Sequence, residues 1–84
     1  MPAPIDRSEV LKALQLTDTA KSSYLDLETG KVILIDDTAT DADTEARRTE
    51  IMEGYGDRFR YVSGGQADAS DASVQEWLDG EGLS

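Results

Sequence analysis

The sequence contains no cysteine and no histidine. Without cysteine the chain can form neither a disulfide nor a thiolate metal site. Without histidine it lacks the commonest general base and the commonest metal ligand. Catalysis would have to use carboxylate, hydroxyl or basic side chains, and the sequence shows no set of nucleophile, base and orienting group. We therefore expect no enzymatic activity, no catalytic residue, no bound metal and no cofactor.

Long hydrophobic runs are also absent. The longest apolar run is residues 32–35 (VILI), whereas a helix that crosses a bilayer needs roughly 20 apolar residues. Residues 1–7 lack the basic and apolar regions of a signal peptide. We therefore expect a cytoplasmic protein that does not associate with membranes.

Basic residues are scarce, and they are unevenly distributed. Eight bases face 18 acids, which gives a net charge of −10, and residues 36–84 hold thirteen of these acids and only four arginines. Such a surface repels nucleic acid and favours a partner with a cationic surface. Solubility, or adaptation to a salt-rich cytoplasm, also explains the acidity. If the acidity is functional, the partner-binding surface is formed by Asp36, Asp37, Asp41, Asp43, Asp68, Asp71, Glu76, Asp79 and Glu81.

The 84 residues predict one domain, 1–84, with a thin hydrophobic core. Asp6 and Glu9 form a capping-box pattern, which predicts a helix that runs to about Leu16. A second helix is predicted over residues 45–53, with Met52 and Tyr55 on the same face as the apolar Ile51. A third helix is predicted over residues 71–79: Ser70 caps it, Trp77 anchors it to the core and Gly80 ends it.

An alternating pattern over residues 22–28, followed by the apolar residues 31–36, predicts a β-hairpin. We expect a type I turn with Gly30 at positive φ, which would place Leu25 opposite Ile33. The second strand is apolar on both faces and is therefore expected to be the most buried. A third strand is predicted over residues 57–63. The predicted fold is α+β, with a three-stranded antiparallel sheet and the order α-β-β-α-β-α.

Three short patterns could indicate a ligand site. The acidic loop over residues 36–45 resembles a calcium loop in composition, but it departs from the EF-hand template, and its polar residues also serve as helix caps. Asp26 and Glu28 share a strand face and could form a carboxylate pair, although pairing with nearby bases is the simpler explanation. Residues 58–61 (RFRY) interleave bases with aromatics, as nucleic-acid-binding strands do, but the net charge favours intramolecular pairing instead.

Residues 24–32 (YLDLETGKV) resemble the hairpin of an uncharacterised family of small bacterial proteins. Members of this family carry a Leu-Asp-Leu-Glu-Thr-Gly hairpin, then a hydrophobic strand and an acidic linker. A short strand and a helix with an aromatic residue follow, to which residues 60–62 and 76–78 are similar. The family usually has a proline after the third strand, where this chain has residues 63–65 (SGG). The resemblance supports the fold and implies no catalytic mechanism.

The sequence therefore favours a non-enzymatic protein-interaction module. The alternative is an inhibitor from a phage or mobile element that mimics the charge of nucleic acid and blocks a restriction or CRISPR complex. Both functions imply a protein partner, for which the acidity favours a cationic surface, and neither requires the chain itself to bind nucleic acid.

Overall fold

Three helices and a three-stranded antiparallel sheet form the fold. The computed structural model describes residues 4–83. The prediction about a signal peptide concerned residues 1–7, of which residues 1–3 lie outside the described range. The elements are α1 (Arg7–Gln15), β1 (Lys21–Asp26), β2 (Lys31–Asp36), α2 (Ala42–Glu53), β3 (Phe59–Val62) and α3 (Asp71–Glu81). The predicted class and the order α-β-β-α-β-α are confirmed. Every helix in the described range is too short or too polar to cross a bilayer.

The hairpin connection contains four residues, 27–30, and not the shorter turn that the sequence predicted. The Asp26 carboxylate accepts the N–H of Glu28 at 2.9 Å, and the Asp26 carbonyl accepts the N–H of Gly30 at 2.8 Å. Both bonds draw residue 27 into the turn. Leu25 therefore pairs with Val32, and the predicted pairing with Ile33 is wrong by one residue. The positive φ of Gly30, +76°, is confirmed.

The central strand is β1, because the sheet order is β2-β1-β3. The prediction that β2 is the most buried strand is wrong: β2 forms an edge, and its Leu34 is 53% exposed. Its outer side is partly covered by side chains. Glu9 accepts the N–H of Val32 at 2.9 Å, and Arg48 donates to the carbonyl of Asp36 at 2.7 Å. These contacts occupy backbone groups that an edge strand would otherwise expose.

The hydrophobic core is divided between the two faces of the sheet. On one face, α1 and α3 pack against Leu25 and Val62. On the other face, α2 contributes Ile51, which packs with Ile35 and Phe59. Neighbouring residues of a strand point to opposite faces, so the alternation in β1 and β3 supplies both cores.

The helix boundaries depend on their caps. The carboxylate of Asp41 accepts the N–H of Thr44 at 3.0 Å, so α2 begins three residues earlier than the sequence predicted. Ser70 is confirmed as the residue before α3, but the helix continues through Gly80 to Glu81 and is capped by Gly82, where φ is +73°. The N–H of Leu83 donates to the carbonyl of Leu78, which is the pattern that closes a helix at a left-handed glycine.

Candidate protein-interaction surface

The nine carboxylates predicted to form one partner-binding surface lie in two groups. Four lie at the end of β2 and the beginning of α2, and five lie in or just before α3. Since α2 and α3 pack on opposite faces of the sheet, the structure does not bring all nine together. The first group is Asp36, Asp37, Asp41 and Asp43; the second is Asp68, Asp71, Glu76, Asp79 and Glu81.

Three carboxylates of the first group have partners within the fold. Asp36 accepts both the N–H and the hydroxyl of Thr38, and these bonds lower the pKa of the Asp36 carboxyl. Asp41 caps α2, and its bonds from Thr44 lower its pKa likewise. Asp37 accepts the Ser22 hydroxyl at 2.7 Å. Among residues 4–83, no group of three or more carboxylates is arranged to hold a metal ion.

The second group is partly paired. Glu81 Oε1 lies 3.5 Å from Arg60 Nη1, and Asp79 accepts a hydrogen bond from Gln75 at 2.9 Å. The side chains of the remaining three form no hydrogen bond or ion pair inside the described part of the chain, and all three are exposed: Asp68, Asp71 and Glu76.

Asp26 and Glu28 are held by Arg58, and they do not form an acid–base pair. Asp26 is only 3% exposed, and its two oxygens each lie 3.0 Å from Arg58, one from Nε and one from Nη2. Glu28 and Glu50 approach the same guanidinium at 3.2 and 3.8 Å. Hydrogen bonding from Arg58 lowers the pKa of Asp26, so this carboxylate stays ionised. The ion pairs of Arg58 therefore link the hairpin turn to the residue just before β3.

All four arginines of residues 36–84 have acceptors within the fold. Arg47 pairs with a glutamate on α2 at 3.6 Å, and Arg48 pairs with Glu45 as well as with the β2 backbone. Arg60 donates to the carbonyl of Gly56 at 2.8 Å and to Glu81. The expected intramolecular pairing of the RFRY segment is confirmed. Among the described residues of the acidic half, residues 36–84, every arginine therefore has an acceptor within the fold.

Three exposed side chains, Met52, Tyr55 and Tyr61, surround the half-buried Tyr24 on the α2 side of the sheet; we call these four residues the tyrosine surface. The β1–β3 register sets Tyr24 beside Tyr61, with ring centroids 5.5 Å apart. Tyr55 follows α2, and its ring stands nearly perpendicular to that of Tyr24 at 6.5 Å. Met52, Tyr55 and Tyr61 are 78%, 56% and 43% exposed.

A cleft of about 170 Å³ adjoins the tyrosine surface, between α2 and the sheet. The buried Ile35 and Ile51 line it together with Tyr24 and Met52, and its polar lining residues are Asp37 and Arg48. Burial, reinforced by the charge of Asp37, raises the pKa of Tyr24, so its hydroxyl remains protonated. A larger cleft of about 290 Å³ between the loops near Asp18 and Gly64 is lined mainly by polar residues and glycine, and offers little apolar contact.

The sequence pattern did not predict the tyrosine surface. It placed Met52 and Tyr55 on the same face as Ile51, but only Ile51 is buried. The reason is that α2 ends at Glu53 and contacts the sheet through one buried residue, which leaves the rest of that face open. The sequence feature that could have indicated this surface is the alternation of side chains along two predicted strands, which places Tyr24 in one strand and Tyr61 in the other.

No protein-family model, curated protein or solved structure matches this chain. The resemblance of the hairpin to a family of small bacterial proteins therefore stays a prediction.

Proposed function

We propose that the chain is a non-enzymatic protein-interaction module whose contact surface is the tyrosine surface. The supporting observation is that three large apolar side chains, Met52, Tyr55 and Tyr61, are exposed together on one side of the sheet. Tyrosine and methionine are enriched at protein interfaces, and contiguous exposed apolar patches mark interaction sites. Methionine also adapts its shape to different partners.

The partner should present a cationic surface. The chain carries a net charge of −10, and the arginines of its acidic half already have acceptors within the fold. Glu53 and Asp57 flank Tyr55 in the chain; both are exposed, and their side chains form no hydrogen bond or ion pair within residues 4–83. Opposite charges on two surfaces speed association and select partners.

Site-specific photo-crosslinking tests this proposal. A photoreactive phenylalanine replaces Tyr55 in one variant and Ala72, an exposed residue of α3, in the control. Both variants are expressed in the native host and irradiated before lysis. We expect one recurrent protein adduct from position 55 and none from position 72. Adducts from position 72 alone would contradict the proposal, because they would place the contact on α3.

That second outcome would support the alternative function, an acidic mimic of nucleic acid. The observation in its favour is that Asp68, Asp71 and Glu76 are exposed and have no partner within the described residues. Asp68→Lys with Glu76→Lys should then abolish capture of the partner, and a DNA duplex should compete with the chain for the partner. If the partner binds the lysine variant as tightly as it binds the parent protein, the hypothesis of a nucleic-acid mimic is wrong.

A further inference from the structure

We infer that the tyrosine surface binds an arginine side chain of its partner and discriminates against lysine. The inference rests on the proposed function and specifies its chemistry: a guanidinium lies on the exposed ring of Tyr55 or Tyr61 and is neutralised by Glu53 and Asp57. The partner is thus a protein segment that contains arginine.

The two outer rings of the tyrosine surface, Tyr55 and Tyr61, are exposed and do not stack face to face on Tyr24. The planes of Tyr24 and Tyr55 meet at 83°, and those of Tyr24 and Tyr61 meet at 58°. Neither outer ring is therefore stacked face to face on Tyr24. The face of an aromatic ring is its negative region, where a cation binds, and Tyr55 and Tyr61 are 56% and 43% exposed, so part of each ring is accessible to a cation.

The charge close to Tyr55 in the chain favours a cation from outside the fold. Tyr55 stands between Glu53 and Asp57 in the chain, two residues from each. The nearest bases in sequence are already engaged: Arg58 binds three carboxylates, and Arg60 binds a backbone carbonyl and Glu81. An exposed aromatic ring with two uncompensated carboxylates is complementary to a cation.

The fold already contains the arrangement that we infer for the partner. The guanidinium carbon of Arg58 lies 4.8 Å from the centroid of the Phe59 ring while Asp26 binds two of its nitrogens. Arginine suits this arrangement better than lysine, because its planar head group stacks on rings, binds carboxylates with two parallel hydrogen bonds and is less strongly hydrated.

Addition of a partner strand is the less favourable mode of docking. At the outer side of β3, the N–H of Phe59 donates to Gly54 and its carbonyl accepts from Gly56, so these groups are occupied. The outer side of β2 is partly covered by Glu9 and Arg48. Contact through side chains on the tyrosine surface needs no open edge.

Titration with a hexa-arginine peptide and a hexa-lysine peptide, followed by NMR at low salt, tests the inference. We expect the arginine peptide to bind several-fold more tightly, because a guanidinium stacks on a ring and is less strongly hydrated than an ammonium group. Its chemical-shift changes should centre on residues 52–61. Equal affinity for the two peptides, or shift changes that centre on α3, would overturn the inference.

Matched variants separate ring stacking from charge. Tyr55→Leu with Tyr61→Leu removes both π faces and should abolish the preference for arginine, whereas Tyr55→Phe with Tyr61→Phe should retain it. A preference that survives in the leucine variant would refute ring stacking. If the leucine variant does not fold, as judged by circular dichroism, the shift map of the parent protein decides alone.

The role of the carboxylates has its own control. Glu53→Gln with Asp57→Asn should weaken arginine binding several-fold, whereas Asp71→Asn with Glu76→Gln removes the same charge from α3 and should not. Equal weakening would mean that net charge alone attracts the peptide. If crosslinking gives an adduct at position 55 but the two peptides bind with equal affinity, the arginine inference is wrong and the proposal of an interaction module is still supported.

Discussion

Replacing Gly30 with alanine should destabilise the protein more than the same replacement at Gly82. Both glycines have nearly the same left-handed backbone, with φ of +76° and +73°. They differ in their surroundings. A Cβ atom on Gly30 would lie 2.0 Å from the carbonyl oxygen of Pro4, whereas a Cβ atom on Gly82 would meet nothing within 4 Å. The pair therefore separates backbone strain from a steric conflict.

The magnitude follows from the contacts of the turn. Left-handed geometry costs alanine about 1 kcal/mol at either position, partly offset by the smaller entropy of the unfolded chain. At Gly30 the Pro4 carbonyl must also move, and the bond from the Asp6 N–H to the Gly30 carbonyl, 2.8 Å long, moves with it. We expect about 3 kcal/mol at Gly30, where strain and a weakened hydrogen bond add to the backbone cost, and about 1 kcal/mol or less at Gly82.

Urea unfolding and thermal unfolding, each followed by circular dichroism and by the fluorescence of Trp77, measure both values. For a domain of this size, each 1 kcal/mol lowers the melting temperature by roughly 4–8 °C, so the difference is well resolved. Equal destabilisation by the two substitutions would refute the close approach of Pro4 to the turn. An unchanged stability for Gly30→Ala would refute the left-handed turn itself.

Three further predictions follow from contacts elsewhere in the fold. Asp26→Asn should cost about 2 kcal/mol at neutral pH. Because Arg58 lowers the folded pKa of Asp26, the contribution of the ionised carboxylate is present above its unfolded pKa, near 3.9, and is lost as the pH falls further; an asparagine variant with the parent's acid-unfolding curve would contradict this. Glu81→Lys should lower the melting temperature since it faces Arg60, while Glu76→Lys should not; equal effects would argue against the pairing. Trp77 is half-buried against the core, so Trp77→Ala should cost about 2 kcal/mol, and a fluorescence spectrum typical of full exposure would exclude that packing.

Local signals in the sequence predicted the elements, and contacts between distant residues set their arrangement. Three local signals are confirmed: Gly30 has positive φ, Asp6 caps α1 and Ser70 precedes α3. The second half of the predicted capping box is wrong, because Glu9 accepts the N–H of Val32 and the N–H of Asp6 donates to Gly30. The register of the hairpin depends on bonds that Asp26 makes across the turn. The central position of β1 depends on β3, which lies more than thirty residues along the chain. The alternation of residues within one segment therefore predicts neither the hairpin register nor the order of the strands in the sheet.

The candidate site was harder to predict because charge counts do not show which charges are paired. Composition identified an acidic half, but it could not show that Asp36 and Asp41 bind backbone groups or that Glu81 binds Arg60. It also could not divide the nine carboxylates between two sides of the sheet. Exposure of the tyrosines is a tertiary property as well, since it depends on how much of the sheet α2 covers.

The topology itself explains why an apolar surface is left open. Three helices cover two faces of one sheet, so one face receives α1 and α3 and the other receives α2 alone. The single buried residue of α2, Ile51, packs over Ile35 and Phe59, so residues at the strand positions beyond it must favour an extended backbone and also tolerate contact with water. Tyrosine meets both demands, because its ring packs on its neighbours while its hydroxyl stays in water. A Tyr→Phe change is therefore the sharpest probe of this surface: it preserves the packing and the ring face, so binding lost with phenylalanine would show that the hydroxyl, and not the π face, contacts the partner.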